Sequence, residues 1–215
     1  MATSETESKQ RGLLIVIEGL DKAGKSTQCK LLTKSLNAIN IPSKYLHFPM
    51  RTTAVGKIID DYLNKRIELH DSAVHLLFSA NRWEYEAEMI SDMKSGVTLV
   101  VDRYSYSGVA FTAAKPGFSI DWCRGPEIGL PRPDLVIFLS LSQDVAAGRG
   151  DFGEERYEVD TFQKKVLSNF KQLIEPEWKI LDASRPIKAI QKDIKEQVLE
   201  VMNEIGECVI ERLWT

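Results

Sequence analysis

The residues with the clearest chemical potential lie together near the amino terminus, between Gly19 and Ser26. This segment, GLDKAGKS, satisfies the pattern G-x-x-x-x-G-K-S in full. It follows the apolar run LLIVIEG and precedes the helix-compatible run KSTQCKLLTKSL, which is the context that the pattern requires. A glycine turn that happens to contain a lysine is the alternative, and the flanking strand and helix signals argue against it. The sequence therefore predicts a loop that binds the phosphates of a nucleoside triphosphate.

Each position of this loop has a physical task. Gly19 and Gly24 permit backbone angles and close approaches that a Cβ would forbid. Backbone N–H groups at the start of the following helix then face the phosphates. Lys25 supplies positive charge to the β- and γ-phosphates, and Ser26 offers its hydroxyl to Mg²⁺, the expected cofactor. The donor nucleotide is expected to contact Gly19, Lys22, Ala23, Gly24, Lys25, Ser26 and Thr27.

Two charged residues, Asp21 and Lys22, lie inside the loop itself. A carboxylate so near the phosphates would repel them unless it faced another group, and a sugar hydroxyl of a second substrate is a plausible target. Lys22 offsets that charge and can reach the transferred phosphoryl group. A locally neutralised Asp–Lys pair with no further role is the competing interpretation.

Further charged residues follow the ends of predicted strands, where ligands of open α/β sheets gather. Asp102 and Arg103 end the third apolar run; Asp102 can hold Mg²⁺ through a bound water, and Arg103 can clamp a phosphate. A strand-end ion pair is the alternative. Arg51 follows the second run and predicts another clamp, with Phe48 as a wall for a base. We expect the catalytic set to be Lys25, Lys22, Arg103 and Asp102.

The segment LLFSANRW places Phe78 and Arg82 one helical turn apart on one face. The aromatic ring can stack on a base while the guanidinium reads its carbonyl edge. Taken singly, Phe78 would more often be core packing and Arg82 a solvated charge.

A glycine-hinged, densely charged segment at about 148–158 predicts a mobile lid that would bring Arg149 or Arg156 to the phosphates on closure. A merely solvated loop explains the same composition equally well. The three histidines have no partners at metal-ligand spacing, and we interpret them as structural.

Short apolar runs alternate with amphipathic stretches, which predicts a parallel sheet covered by helices on both faces. Strands are predicted at Leu13–Ile17, Lys44–His47, Thr98–Val101, Leu135–Leu139 and Trp178–Leu181. Helices are predicted to begin near Lys25, Ala54, Asp71, Ser107, Thr161 and Pro186, and the helix from Asp71 is predicted to extend to Ile90. No repeat or linker interrupts the pattern. Residues 1–10 are polar and predict a disordered tail, and residues 11–215 predict one α/β domain.

Bulk composition excludes several classes of protein. The net charge of −3 gives no global basic field that would recruit nucleic acid or an anionic membrane surface. No apolar run approaches the ~20 residues of a membrane span. Three widely separated cysteines argue against a disulfide framework and suit a reducing compartment. A cytoplasmic location is expected, with the nucleus also open.

From about Gly12 to Trp214 the chain resembles the thymidylate kinases of eukaryotes and poxviruses. The motifs that carry the resemblance are LIVIEGLDKAGKSTQ, HFPMRTTAVGKIIDDYL, VHLLFSANRWE, VDRYSYSGVAFTAAK, GLPRPDLVIFL and GDFGEERYE. The resemblance implies a three-layer α/β/α P-loop fold with a five-stranded parallel sheet and a short lid. It also implies a homodimer that uses ATP and Mg²⁺ to phosphorylate dTMP to dTDP, for dTTP synthesis.

The resemblance also assigns roles to individual residues. Phe78 would stack on thymine, and Arg82 would bond its O4. Asp21 would accept from the 3′-hydroxyl, and Arg149 and Arg185 would flank the adenine of ATP. The implied dTMP-binding residues are Asp21, Phe48, Arg51, Phe78, Arg82, Arg103, Ser107, Gly108, Phe111 and Tyr157.

Two positions depart from the family pattern. Lys22 stands where cellular members usually carry arginine, and lysine keeps the charge but loses the planar fork. Met50 replaces a polar residue common after F-P. Arg149 and Arg156 of the lid are the candidates to compensate for the first change.

Two other functions compete with this interpretation. A deoxynucleoside kinase would phosphorylate a neutral hydroxyl and need a carboxylate base, whereas two arginines here converge on an acceptor phosphate. A P-loop switch protein would usually carry a guanine-reading N-K-x-D element, and the sequence has none. Because an acceptor phosphate is already an anionic nucleophile, we expect in-line transfer without a covalent intermediate or a strong general base.

Overall fold

A computed structural model describes residues 11–141, 156–204 and 209–215. Its five strands are parallel neighbours in the order β2-β3-β1-β4-β5. They span Leu14–Gly19 (β1), Ser43–His47 (β2), Thr98–Asp102 (β3), Leu135–Ser140 (β4) and Lys179–Asp182 (β5). All five predicted strands and the parallel sheet are confirmed, with ends that differ by one or two residues. The predicted tail 1–10 lies outside the described residues.

The central strand β1 explains why the sheet needs helices on both faces. All six of its residues are buried, as a strand covered on both sides should be. Leu14 and Val16 join the apolar cluster of one face, whereas Ile15 and Ile17 join the cluster of the other. The side-chain alternation of the strand therefore feeds two cores, and the fold has three layers.

The described helices are α1 (Lys25–Asn37), α2 (Ala54–Leu63), α3 (Asp71–Trp83), α4 (Glu86–Lys94), α5 (Ser105–Ala113), α6 (Ile120–Arg124), α7 (Asp160–Leu173) and α8 (Ile187–Glu204). Helices α1 and α8 bury Leu32 and Ile194 on one face of the sheet. Helices α4, α5 and α7 bury Met93, Val109 and Phe170 on the other. Among the described residues, no helix has the length and apolarity to cross a bilayer.

The predicted helix Asp71–Ile90 was wrong in its continuity, because α3 ends at Trp83 and α4 begins at Glu86. No glycine or proline marks this break, and the apolar pattern runs through it because both helices contribute to buried clusters. The short helix α6 and the 3₁₀ turn Gly125–Glu127 were not predicted. Helix α5 begins at Ser105, two residues before the predicted start.

The sheet order puts the functional loops at one edge. Strand β1 lies between β3 and β4, so the connections that follow β1 and β3 leave toward opposite sides. Such a switch point forms a crevice at the carboxyl ends of the strands. The loop after Gly19, the Asp102–Arg103 turn and the segment after His47 all open onto this crevice.

The buried aromatic pair Phe138–Phe170 joins helix α7 to strand β4, and a substitution in it measures what this contact contributes to stability. Its ring centroids lie 5.1 Å apart, and Phe170 is fully buried. We predict that Phe170→Ala lowers the free energy of unfolding by about 3–5 kcal/mol, because it leaves a cavity as well as losing apolar burial. Urea unfolding measures this, with Leu31→Ala at an exposed position of α1 as the control. A loss below about 1 kcal/mol for Phe170→Ala would contradict the packing described.

Candidate active site

The phosphate loop adopts the backbone that its glycines predict. Gly19 and Gly24 have φ of 146° and 91°, and Lys22 between them has φ of 62°. A Cβ at Gly19 would lie 2.6 Å from the carbonyl oxygen of Leu139, so β1 and β4 approach too closely there for any side chain. The loop leads into α1, and the residues from Gly24 to Ser26 at this junction line the crevice. The first N–H groups of a helix have no partner within it and are available to an anion.

A cleft of about 770 Å³ opens above this loop. It is lined by the predicted residues Asp21, Lys22, Ala23, Gly24, Lys25, Ser26, Thr27, Phe48, Arg51, Phe78, Arg82, Asp102, Arg103, Ser107, Gly108, Phe111, Tyr157 and Arg185. Gly19 lies beneath it, and its carbonyl accepts a hydrogen bond from Arg103 Nη1 at 3.3 Å. Arg149 lies outside the described residues. Nearly every residue predicted from separate motifs thus borders one cavity.

Lys25 occupies the floor of the donor side. It is 6% exposed, and its Nζ donates to the Leu20 carbonyl oxygen at 2.7 Å. Burial, together with the charge of Arg103, lowers the pKa of Lys25 from 10.5 to about 8, against opposing attraction from Asp21 and Asp102. The folded protein therefore holds this ammonium at a cost that an anionic ligand would relieve.

Ser26 and Asp102 meet beside Lys25, although 76 residues separate them in sequence. The Ser26 hydroxyl donates a short hydrogen bond to Asp102 Oδ2, and the Tyr45 hydroxyl donates to the same oxygen at 3.4 Å. Hydroxyl and carboxylate oxygens are hard ligands of the kind that Mg²⁺ prefers. The donor set therefore fits the predicted metal at Ser26 and Asp102.

Asp21 and Arg103 form the centre of the cleft. Arg103 Nη2 donates a short hydrogen bond to Asp21 Oδ1, and Gln163 Nε2 donates to Asp21 Oδ2 at 2.7 Å. Burial acts to raise the pKa of Asp21, but the charges of Arg103 and Lys25 and the Gln163 hydrogen bond outweigh it and hold the pKa below 3.8. The carboxylate is ionised at neutral pH and ties the loop to both β3 and α7.

Lys22 faces the far side of the cleft. Its Nζ lies 3.6 Å from Glu158 Oε1, just before α7. Glu158 is a neighbour that the sequence did not predict for this lysine, and it joins the phosphate loop to the base of the predicted lid.

Phe78 and Arg82 lie on the same face of α3, as predicted, and both border the cleft. Arg82 is almost fully buried, and its Nε donates to Glu127 Oε2 at 2.8 Å while Nη2 makes a short hydrogen bond to Oε1. A Cβ at Gly108 would lie 2.5 Å from Arg82 Nη2, so only glycine lets α5 pack this closely. Glu127 fixes the plane of the guanidinium.

Aromatic side chains wall the part of the cleft beside Arg103. Phe111 lies edge-on to Tyr157 at 5.7 Å, and the Arg103 guanidinium lies 5.1 Å from the Phe111 ring centre. Phe48 is buried against Tyr85 and Tyr104. The wall is therefore rigid and apolar, which suits a flat base or sugar.

Two predicted arginines at the ends of the cleft are more exposed. Arg51 Nη1 lies 2.7 Å from Asp60, and Arg185 Nη1 lies 2.6 Å from Asp193. Both ion pairs are solvent-accessible and can rearrange at small energetic cost.

The structure directs Arg156 away from the phosphate loop. Its guanidinium donates to both oxygens of Glu68, at 2.7 and 3.0 Å, and stacks on Tyr62 at 4.2 Å from the ring centre. It does not border the cleft in this structure. The expectation that Arg149 or Arg156 compensates for Lys22 stays a prediction. The predicted lid lies outside the described residues except for 156–158.

Sequence reasoning missed residues that support the site from a distance. Gln163, Glu127 and Glu18 are each at most 3% exposed and hydrogen-bond to a predicted site residue. Burial raises the pKa of Glu18, against the hydrogen bonds from Ser107 and Tyr104 and the Arg103 charge. No local pattern pairs these residues with their partners. Only Glu18 had such a signal, because it is a polar residue within the apolar run LLIVIEG.

The fold and this cleft define a P-loop nucleotide-binding phosphotransferase: a parallel sheet with a phosphate loop after β1 and cationic residues after β3. Comparison with known proteins is more specific. A family model described as thymidylate kinase matches residues 17–194. The chain belongs to the thymidylate kinase family.

Individual relatives match over nearly their whole length. The chain is 48% identical to thymidylate kinase of Danio rerio over 210 residues, which cover 96% of this chain and 99% of that protein. It is 48% identical to the human thymidylate kinase over 208 residues, or 95% and 98% of the two chains. A solved structure of thymidylate kinase from Candida albicans superposes with a TM-score of 0.86 at 38% identity, covering 94% of this chain and 98% of that one.

The lowered pKa of Lys25 leads to a prediction about stability. Because the pKa is about 8 in the folded protein and 10.5 when unfolded, the unfolded state binds more protons between these values. The charge therefore costs stability below pH 8, and the cost vanishes above about pH 10.5. We predict that Lys25→Met abolishes phosphoryl transfer yet raises stability at pH 7 by about 1 kcal/mol, or roughly 2–4 °C in Tm.

Thermal melts from pH 7 to 11 measure this effect. The stability difference between the two proteins should shrink as pH rises from 8 to 10.5. A variant that is less stable at pH 7, or a difference that does not change with pH, would argue against a strained ammonium at this position.

Proposed function

We propose that this chain transfers the γ-phosphate of ATP to dTMP, giving ADP and dTDP. The observation that carries the proposal is the arrangement of the cleft in a member of the thymidylate kinase family. A phosphate loop and an oxygen pair suited to Mg²⁺ lie at one end, and an arginine beside an aromatic wall lies at the other. Two phosphate chains fit such a cleft end to end.

On the donor side, the loop from Gly19 to Thr27 holds the triphosphate through backbone N–H groups. Lys25 neutralises the β- and γ-phosphates, and Arg185 borders the adenine. Ser26 and Asp102 would hold Mg²⁺. When bound, Mg²⁺ would offset the charge of the triphosphate.

On the acceptor side, Arg103 and Arg51 hold the dTMP phosphate, and Asp21 accepts from the 3′-hydroxyl. Phe78 stacks on thymine, Arg82 donates to its O4, and Ser107, Gly108, Phe48, Phe111 and Tyr157 complete the pocket. Lys22 and Arg103 offset the negative charge of the phosphoryl group during its transfer. The acceptor is already anionic, so the residues align and neutralise without a covalent intermediate.

An acceptor screen tests this function. We predict that the protein with Mg²⁺ and ATP converts dTMP to dTDP, and that thymidine, which lacks the phosphate for Arg103 and Arg51, is not phosphorylated. A coupled ADP assay with dTMP, dUMP, dGMP and thymidine provides the measurement. Turnover of thymidine alone would indicate a deoxynucleoside kinase. ADP release that no acceptor stimulates would indicate a P-loop switch.

The apolar stripe on α3 supports a homodimer as the working form. Ala73, Leu76, Ala80 and Trp83 recur at helical spacing on one face, and Leu76 and Trp83 are 50% and 40% exposed. Trp83 is held by a hydrogen bond from its Nε1 to the Pro126 carbonyl at 2.8 Å, beside the exposed Ile128. A second copy of the stripe is the occupant with matching chemistry, since a two-fold interface pairs a surface with itself. A cytoplasmic location agrees with the free cysteines Cys29 and Cys123.

Substitution at the centre of the stripe tests the dimer. We predict that Leu76→Glu converts a dimer to a monomer in sedimentation velocity, because the two protomers would bring two like-charged, unpaired carboxylates together at the two-fold axis. Ile39→Glu, at an equally exposed apolar position at the end of α1, is the matched control and should remain dimeric. A dimer that survives Leu76→Glu, or a wild-type monomer, would exclude this interface.

A further inference from the structure

Glu18 is a buried carboxylate that lies between the two halves of the active site. It is fully buried at the end of β1, one residue before the phosphate loop. Its Oε1 accepts hydrogen bonds from the backbone N–H groups of Tyr104 at 2.9 Å and Ser107 at 3.0 Å. Its Oε2 accepts from the Ser107 hydroxyl at 2.6 Å. Three donors from one short segment thus converge on a single side chain.

Through these contacts Glu18 caps the N-terminus of helix α5, although it belongs to strand β1. Tyr104 is the N-cap residue, and no side chain of its own segment caps the helix. The N-cap and third-position N–H groups are the two that a local capping box would satisfy. Here Glu18, more than 80 residues earlier, satisfies both, so the start of α5 is anchored to β1.

The same contacts reach Arg103 through Ser107. Arg103 Nη1 donates to the Ser107 hydroxyl oxygen at 3.0 Å, while that hydroxyl donates to Glu18. Arg103 also has a φ of 64°, in the left-handed region that costs a non-glycine residue about 1 kcal/mol or more. The turn therefore persists only because neighbouring contacts hold it.

We infer that Glu18 is a positioning residue that sets the orientation of Arg103 toward the acceptor phosphate. It does not border the cleft and has no contact with substrate to make. The inference rests on the proposed role of Arg103 in binding the dTMP phosphate. It also links the two substrates, because the strand that ends in the donor loop holds the arginine of the acceptor site.

The substitution Glu18→Gln should disturb the orientation of Arg103 while the protein still folds. Glutamine has nearly the same shape, and its carbonyl oxygen can still accept from both backbone N–H groups. Its amide nitrogen, however, donates where Glu18 accepted. The Ser107 hydroxyl then loses the buried acceptor for its proton, and Arg103 loses the attraction of the Glu18 charge. The hydroxyl must reorient between two donors, which weakens the hold on the Arg103 guanidinium.

Binding of dTMP and thymidine by calorimetry tests the inference, because only dTMP has the phosphate that Arg103 would hold. We expect Glu18→Gln to raise the Kd of dTMP about tenfold and to change that of thymidine less than twofold. In an Arg103→Ala background, Glu18→Gln should change the Kd of dTMP less than twofold, since its effect acts through the arginine. Asp134→Asn is the matched control, because Asp134 accepts from Leu14 N at 2.8 Å at the opposite end of β1. It should leave both Kd values within twofold.

The outcomes distinguish failure of the proposed role of Arg103 from failure of the inference about Glu18. If Arg103→Ala alone leaves the Kd of dTMP unchanged, the proposed role of Arg103 is wrong. If Arg103→Ala weakens dTMP but Glu18→Gln does not, or weakens thymidine equally, Glu18 is only a structural cap and the inference fails.

A second variant covers the case in which Glu18→Gln does not fold. Ser107→Ala keeps both backbone contacts of Glu18 and removes the hydroxyl link to Arg103, and any change that it makes to the base pocket affects dTMP and thymidine alike. We expect it to raise the ratio of the dTMP to the thymidine Kd about fivefold. An unchanged ratio would overturn the inference.

Discussion

Positive charge held inside the protein before any phosphate arrives is the constraint on which this site depends. Lys25 and Arg103 lie in a crevice with little solvent, where an uncompensated cation is costly. Asp21 and Asp102 supply the compensation, and they do so from the phosphate loop and the end of β3. The carboxylates thereby hold the cations in place for ligands that will replace part of their role. The cleft is preorganised because its own charges are balanced.

The sequence could predict the features that are encoded locally, but not the long-range contacts that balance these charges. The strands and the phosphate loop are encoded locally: a β-branched run makes β1, and Gly24 permits the turn into α1. The Phe78–Arg82 pair was also predictable, because helical geometry alone places residues four apart on one face. Asp21 and Gln163 are 142 residues apart, and only the folded sheet and α7 bring them together. Nothing in either segment identifies the other.

The α3–α4 break and the observed direction of Arg156 escaped sequence reasoning for the same physical reason. The α3–α4 break has no glycine or proline, and both helices bury apolar residues, so periodicity could not locate it. Arg156 was assigned to the phosphates because its segment is charged and glycine-rich, yet Glu68 and the Tyr62 ring hold it elsewhere. The sequence of a loop does not determine where an arginine side chain in it points. That direction can be predicted for an arginine on a helix face or directly after a buried strand, and Arg82 and Arg103 both border the cleft.

The Arg82–Glu127 pair shows what a buried ion pair contributes to recognition. Desolvation of two charges offsets much of their attraction, so the pair is a weak source of stability. Its contribution is orientation: Glu127 engages Nε and Nη2, so the guanidinium plane is set before a base arrives.

A guanidinium has hydrogen-bond donors only. It therefore favours a pyrimidine with a carbonyl at position 4 and disfavours one with an amino group there. It cannot distinguish thymine from uracil, because both have that carbonyl. Selection for the methyl group must come from apolar packing, where one methyl contributes at most about 1–3 kcal/mol. Under the role proposed for Arg82, discrimination against cytosine would come from a charged pair, whereas discrimination against uracil would depend on how closely the aromatic wall fits.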